Sequence, residues 1–341
     1  MSKTPLLSVF IPTYNGENFV REAVESVLDN GFTDLEVVVV DDGSADGTAQ
    51  IVGSIRHPAL RFVRQATNLG VVLTRRRSIS LLRGRYMALL DQDDIAMPGR
   101  FERQINRLEA AGGPDILGGG VQLFGEQQGE WFFPSTDAQI RAGLLFFDCP
   151  LANPTICMKL APFREGRISY SAGIRVVADY ALWVDAMHAE LRFENLPILL
   201  TRYRRHSRSM TRNSRDRLIA EACVVRRRVV ETFFPTLTTD ERAALVDALS
   251  YNLTGSLWIN GIYALSHAAM LTMNVPRADF DSAWMIKSLE KRLVGMIKRA
   301  LELGMTDNET LEMMTESNEH FAQWRAADNG ALDVRIMALF T

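Results

Sequence analysis

With 341 residues, 47% hydrophobic and 23% charged, the chain has the composition of a folded globular protein and the length for one large domain plus a smaller one, which excludes a disordered or fibrous class. The formal net charge of -3 gives no support to a general nucleic-acid binder, although arginines crowd residues 56 to 85 and 202 to 215 and offer two basic patches for phosphates. Cys149, Cys157 and Cys223 keep no metal-ligand spacing and leave one odd thiol, which fits buried thiols in a reducing cytoplasm; no signal peptide and no apolar run of about 20 residues is read, so the expected location is cytoplasmic, at most peripheral at the inner face of a membrane.

In chain order, Leu6 to Ile11 reads as a short buried strand stopped by Pro12, and Thr13-Tyr14-Asn15-Gly16 makes the turn. From Glu17 to Leu28 the apolar positions keep helical spacing until Asn30-Gly31. Leu35 to Val40 is a β-branched interior strand that ends in Asp41-Asp42-Gly43-Ser44. A helix from about Asp46 to Ile55, a strand over Leu60 to Val63, a turn at Asn68-Leu69-Gly70 and a helix from about Val71 to Leu82 follow. Tyr86 to Asp91 is the fourth strand, apolar until it meets Asp91-Gln92-Asp93-Asp94. In extended geometry Asp91 and Asp93 point the same way and can share a hard divalent cation, and ligands of parallel sheets gather at such strand ends. An isolated acidic turn is the plainer use of these residues, and the rest of the chain decides against it.

After Arg100 a helix carrying Phe101, Ile105 and Leu108 ends at Gly112-Gly113-Pro114. Strands are expected over Ile116 to Phe124, Asn153 to Leu160 and Ile198 to Arg204, loop and short helix over 125 to 150, and a helix over Val176 to Met187 with Asp179 near its first turn. Beyond about residue 216 only helices are expected, among them the amphipathic Met285 to Leu303. The alternation predicts an α/β fold with a parallel sheet and right-handed crossovers. Neither G-x-G-x-x-G nor G-x-x-x-x-G-K-S/T is present, so bound phosphates must be held by a metal and arginines.

Four segments, SVFIPTYN (Ser8 to Asn15), VVVVDDGSADGT (Val37 to Thr48), NLGVVLTRR (Asn68 to Arg76) and GRYMALLDQDD (Gly84 to Asp94), together resemble the glycosyltransferase family 2 enzymes, and the resemblance covers residues 7 to about 210. It implies the GT-A fold, a Rossmann-like, mostly parallel sheet flanked by helices, over residues 1–215. The nucleotide-sugar half would be about 1–94, the acceptor half about 95–215, and residues 216–341 an all-helical C-terminal extension. It implies that Pro12, Thr13 and Tyr14 line the nucleotide base and that Asp41 reads the edge of a uridine-type base with Asp42 beside it. Asn68 and Arg75 would lie near the nucleotide and diphosphate. Asp91 would lie near the ribose or sugar, and Asp93, with Asp91, at a Mn²⁺ or Mg²⁺ that bridges the phosphates.

The segment Val176-Val177-Ala178-Asp179-Tyr180-Ala181-Leu182-Trp183 is similar to the family's E-D-x-x-L-W, which makes Asp179 the expected catalytic base. The family's first acid is Ala178 here, and a helix cap is the plainer role for Asp179. Tyr203-Arg204-Arg205-His206 resembles Y-R-x-H, where the histidine completes the metal shell, and the stretch with Arg208, Arg212 and Arg215 is expected to order over the diphosphate. Trp183 and Phe132-Phe133 are candidate stacking partners for an acceptor sugar, although aromatics there are usually core.

The expected activity is metal-dependent, inverting transfer from a nucleoside-diphosphate sugar, with UDP as the expected nucleotide. The acceptor is a hydroxyl of a glycan or lipid-linked glycan, and the setting bacterial surface polysaccharide synthesis. A non-catalytic sugar-nucleotide-binding or scaffold protein is the first alternative. A sugar-nucleotide pyrophosphorylase is the second, but it needs a glycine-rich basic loop where Pro12 to Gly16 stand. The helix over 285–303 is open to three uses: packing on the catalytic domain, a homo-oligomer contact, or peripheral membrane contact.

Overall fold

The computed structural model describes residues 4–146, 150–206, 215–250, 257–274, 278–304, 307–328, 332 and 335–336. Its contacts divide the chain into two units, Met1–Ile140 with Cys149–Ser214, and Arg141–Asp148 with Arg215–Thr341.

The first unit is built on strands β1 (Leu7–Thr13), β2 (Leu35–Asp41), β3 (Leu60–Arg64), β4 (Tyr86–Leu89), β5 (Ile95–Ala96), β6 (Ile116–Gly125), β7 (Gly129–Trp131), β8 (Cys157–Lys159) and β9 (Phe193–Arg205). Between them lie α1 (Val20–Leu28), α2 (Thr48–Ser54), α3 (Val71–Ser78), α4 (Arg100–Glu109), α5 (Asp137–Phe146, which runs into the second unit), α6 (Ala161–Arg164) and α7 (Ala178–His188). The sheet order is β3-β2-β1-β4-β8-β6-β9-β5, with β7 on β6. It is parallel from β3 to β4, where strand–helix units alternate, and mixed beyond, where β8 runs antiparallel between β4 and β6. Every residue of β2 and β4 is buried, as expected of strands covered on both faces.

Pro12 does not stop β1, which runs on to Thr13 with Pro12 opposite Val40. Along a parallel strand successive residues face alternate neighbours. Thr13 accepts from Asp42 on the β2 side and Phe10 from Leu90 on the β4 side, so the missing donor of Pro12 falls on the β4 side, where pairing has ended at Phe10–Leu89. β4 also differs from expectation. It stops at Leu89, and Asp91 to Asp94 form a turn closed by the Asp94 amide on the Asp91 carbonyl at 3.2 Å. The expected strand over 153–160 is a 3₁₀ turn, Asn153–Thr155, followed by the three residues of β8; β7 is a short strand in a segment expected as loop and short helix, and the two-residue β5 lies where no element was expected. Of the thiols, Cys157 is buried and Cys223 only half-buried, and Cys149 lies outside the described residues.

Gly84 shows how closely β4 starts against β1. A Cβ there would stand 2.6 Å from the Ser8 amide nitrogen, so only glycine fits. Arg100, wholly buried in α4, is the pin at the other end. It donates to the carbonyls of Leu89 (2.9 Å) and Pro154 (2.7 Å) and to Thr201 Oγ1 (2.9 Å), tying the end of β4 to the neighbouring segments. Burial lowers its pKa to about 10, so it remains charged at neutral pH.

The second unit carries α8 (Arg215–Phe233), α9 (Thr239–Ser250), α10 (Leu257–Asn274), α11 (Ser282–Glu302), α12 (Asn308–Ser317) and α13 (Glu319–Ala327). Side chains of Asp281, Asp307 and Asn318 cap α11, α12 and α13. The amphipathic stripe of α11, including Leu289, Leu293, Met296 and Ile297, is buried, and the helix packs on α9 and α10. Gly261 brings α10 close: a Cβ there would lie 3.0 Å from Met296 Sδ and 3.1 Å from Ala248 Cβ. Among the described residues no helix is long and apolar enough to cross a membrane.

Candidate active site

The loops after β1 and β2 are clamped together. Asn15 takes a left-handed conformation (φ 47°) that Asn tolerates better than most residues, and its side chain accepts from the Ala45 amide at 2.9 Å. Its own amide donates to Ser44 Oγ, and the Gly16 amide donates to Thr48 Oγ1. Asp41, the last residue of β2, is fully buried; Ser44 donates to its Oδ1 through amide and hydroxyl, and Arg64 stands 3.3 Å from Oδ2. Asp42 is committed to the fold: it accepts from the amides of Leu69 and Gly70, both at 2.8 Å, and so shapes the turn that presents the exposed Asn68. Tyr14 is 44% exposed. The backbone around it is held by Gln92, whose Oε1 accepts from Thr13 Oγ1 and the Tyr14 amide while Nε2 donates to the Tyr14 carbonyl.

The three acids after β4 diverge in their partners. Asp91 Oδ1 accepts from Arg75 Nη2 at 3.1 Å, and Arg75, buried in α3, leaves Nε without an acceptor among the described residues. Burial pushes the Asp91 carboxyl above its ordinary value; Arg75 pulls it down, and the negative charges of Asp93 and Asp179 push it up again. Asp93 Oδ2 lies 2.8 Å from His206 Nε2, and the Asp93 carbonyl accepts from Arg204 Nε. Asp94 is buried, with Oδ1 on the Arg204 amide at 2.8 Å and Oδ2 without a partner among the described residues; burial first, then Asp93 and Asp91, raises its pKa well above the ordinary range. Asp179 lies in the first turn of α7, half-buried and near enough to act on the titration of both Arg75 and Asp91.

Asp91, Asp93, Arg75, Asp179 and His206 are therefore grouped by segments far apart in the chain, while Asp42 and Asn68 belong to the adjoining loops. Packed acids whose charged forms are penalised make a cradle that a cation would relieve. Among the described residues no group of three His, Cys, Asp or Glu stands ready as a metal site. Asp93 and His206 converge as two ligands would, and an imidazole with carboxylate suits Mn²⁺ better than Mg²⁺.

Other expectations are corrected by burial. Trp183 is core, 2% exposed, whereas Phe132 is 56% exposed beside Trp131 at 45%. Most arginines of the first basic patch already face acids of the chain: Arg61 and Arg83 bind Glu36, Arg64 Asp41, Arg75 Asp91 and Arg85 Glu109. The expected lid with Arg208 and Arg212 lies outside the described residues, as does the side chain of Arg215. Gln92, Arg100 and Tyr170, a buried tyrosine acted on by Arg75, Asp179 and Asp91, were not singled out in the sequence. Only Gln92 left a trace there, an amide set between two acids.

The sequence profile of the family described as Glycosyl transferase family 2 matches residues 8–166. An uncharacterized glycosyltransferase of Haemophilus influenzae is 26% identical over 219 residues, covering 60% of this chain and 67% of its own. The succinoglycan biosynthesis protein ExoO of Rhizobium meliloti is 38% identical over 112 residues, 33% of this chain and 32% of that one, so the shared part is a third of that protein. S. aureus TarS 1–349 in complex with UDP-GlcNAc superposes with a TM-score of 0.57 at 16% identity over 98% of this chain and 90% of that one. The mannosyltransferase PcManGT of Pyrobaculum calidifontis, in complex with GDP-Man and Mn²⁺, gives 0.50 at 15% over 99% and 86%. These two likenesses are of fold. Residues 8–166, which carry Asp41, Arg75, Asp91 and Asp93 but not Asp179 or His206, thus match glycosyltransferase family 2, and the α/β fold of the chain is similar to that of the two solved structures.

Proposed function

We propose that the chain is a metal-dependent, inverting glycosyltransferase that moves a sugar from a nucleoside-diphosphate sugar, with UDP as the nucleotide, to a hydroxyl of a glycan or lipid-linked glycan. The supporting observation is the gathering of Asp91 and Asp93 from the end of β4 with Arg75, Asp179 and His206. UDP is favoured because TarS was solved with UDP-GlcNAc, and the polysaccharide setting because ExoO is named for succinoglycan biosynthesis. A lipid-linked acceptor would bring the protein to the inner face of the membrane, with bacterial surface polysaccharide as the product.

In this reading the loop Pro12 to Tyr14 and Asp41 receive the base, and Arg75 faces the diphosphate side of Asp91. A divalent cation, Mn²⁺ by its donor set, would be held by Asp93 and His206 beside Asp91, and would supply Lewis-acid stabilisation of the charge that grows on the departing diphosphate. Asp179 takes the proton of the acceptor hydroxyl as that oxygen bonds to the anomeric carbon. The carbon–phosphate oxygen bond breaks, its electron pair leaves with the diphosphate, and the configuration inverts. The exposed faces of Trp131 and Phe132 are suited to stack on the apolar side of an acceptor sugar.

A non-catalytic nucleotide-sugar binder is favoured by one observation, Ala178 in place of the family's first acid. Asp179→Asn separates the two readings. Transfer to an acceptor is expected to fall by about 10² to 10⁴-fold while binding of nucleotide persists; unchanged transfer would remove Asp179 from the mechanism.

A further inference from the structure

The pairing of β5 with β9 ends at Ile95–Arg202, and past that point the acid turn meets the strand through Arg204. The Arg204 amide donates to Asp94 Oδ1, and its Nε donates to the carbonyl of Asp93, both at 2.8 Å. Its Nη2 reaches Glu22 Oε2 on α1 at 2.5 Å. The guanidinium carbon lies 4.3 Å from the ring centroid of Phe124 on β6 and 4.9 Å from that of Phe19, the residue before α1. Only 18% of the Arg204 side chain is exposed, which strengthens contacts of a cation with aromatic faces, whereas Glu22 is 56% exposed and its ion pair adds little. His206 stands two residues further on, just past the end of β9. Its Nε2 lies 2.8 Å from Asp93 Oδ2 although the two are 113 residues apart in the chain, and its ring is 5.3 Å from the same Phe19 ring that Arg204 covers. Asp93 and His206 thus rest on one side chain: Asp93 through its own carbonyl, His206 through the adjoining backbone and a shared aromatic neighbour.

We propose that Arg204 is a positioning residue of the cation site, whose guanidinium sets the Asp93 carboxylate and the His206 imidazole where both reach one divalent cation. This deepens the cation-dependent transfer reading and rests on it. Lysine is no substitute. A planar guanidinium directs Nε to the Asp93 carbonyl and Nη2 to Glu22 while presenting its faces to Phe19 and Phe124; a single ammonium reaches one acceptor or the other and has no face to stack. A merely structural anchor differs in one respect that can be measured. Its loss would lower stability without changing the cation requirement, and would add to the loss of His206 as an independent effect.

The test is calorimetric titration with UDP at a series of Mn²⁺ concentrations, which gives the Mn²⁺ needed for half-maximal binding. It compares wild type, Arg204→Lys, His206→Ala and the double variant. Arg204→Lys is expected to need about tenfold more Mn²⁺, the usual cost of losing a group that orients metal ligands. In the His206→Ala background the same substitution should cost less than about threefold, because the pairing that Arg204 sets is already gone. An unchanged Mn²⁺ requirement in Arg204→Lys, whatever its melting temperature, would overturn the proposal and leave the transfer reading standing. So would an equal cost in both backgrounds. Should Arg204→Lys fail to fold, Phe124→Leu takes its place: it removes one of the two rings and leaves the donors of Arg204 intact, and should raise the requirement about threefold; no rise would overturn the proposal. A wild type whose UDP binding ignores Mn²⁺ would overturn the cation site itself, and the role of Arg204 with it.

Discussion

The two ends of the parallel strands treat buried charge in opposite ways. At the amino end of β2, Glu36 is 2% exposed and completely served: Ser8 Oγ donates at 2.7 Å, Arg61 at 2.7 Å, and Arg83 through its amide and Nε, both at 2.8 Å. Burial would raise its pKa, and these donors more than reverse that, so the carboxylate is held below its ordinary value. At the carboxyl end, Asp91 and Asp94 are raised, and Asp94 Oδ2, Arg75 Nε and the Tyr170 hydroxyl have no hydrogen-bond partner among the described residues. A charge network completed within the protein stabilises the fold. One left incomplete at the strand ends of an α/β sheet is where a ligand completes it.

Mutations at the two ends should separate activity from stability. The largest effect is expected for Asp93→Asn, which should lower transfer by about a hundredfold or more and remove its dependence on Mn²⁺, measured as initial rate against Mn²⁺ concentration. Loss of His206 as His206→Ala should cost about tenfold and shift that curve to higher Mn²⁺. Retained Mn²⁺ dependence in both variants would place the cation elsewhere. At the opposite end, Glu36→Gln should leave the rate per folded molecule within about twofold and lower stability by about 2 kcal/mol at pH 7, because it leaves Arg61 and Arg83 facing a neutral group. Since folding lowers the Glu36 pKa, its contribution is complete above the ordinary carboxylate value of about 4.3 and fades as the pH drops through the lowered one. The stability gap between wild type and variant, read by urea denaturation, should therefore narrow below about pH 4; a gap independent of pH would contradict the pairing.

The contrast between the ends was only half legible in the sequence. Apolar runs ending in Asp41 and Asp91 announce strands and a polar edge, because burial and alternation are local properties. Glu36, in the apolar run LEVVVV, gives no such notice: its donors Ser8, Arg61 and Arg83 are 28, 25 and 47 residues away. Arg100 is likewise explained by carbonyls 11 and 54 residues distant, and Tyr170 by charges on α3, α7 and the turn after β4. The same limit shortened β4. The pattern carries the strand to Asp91, but pairing with β8 begins at Tyr86–Lys159 and ends at Ala88–Cys157, and nothing in residues 86–91 records where a partner strand leaves. Pro12 misled for a related reason, since its missing donor matters only on the side where a neighbour is still paired.

The central claim is that the acids after β4 form a cation-dependent nucleotide site. Thermal denaturation with UDP, GDP, dTDP and CMP, each with and without Mn²⁺, tests it most directly. The expected result is stabilisation by UDP that requires Mn²⁺, about 2.7 kcal/mol at ~100 times the dissociation constant. No shift with any nucleotide, or a shift with UDP that is the same without Mn²⁺, would contradict it.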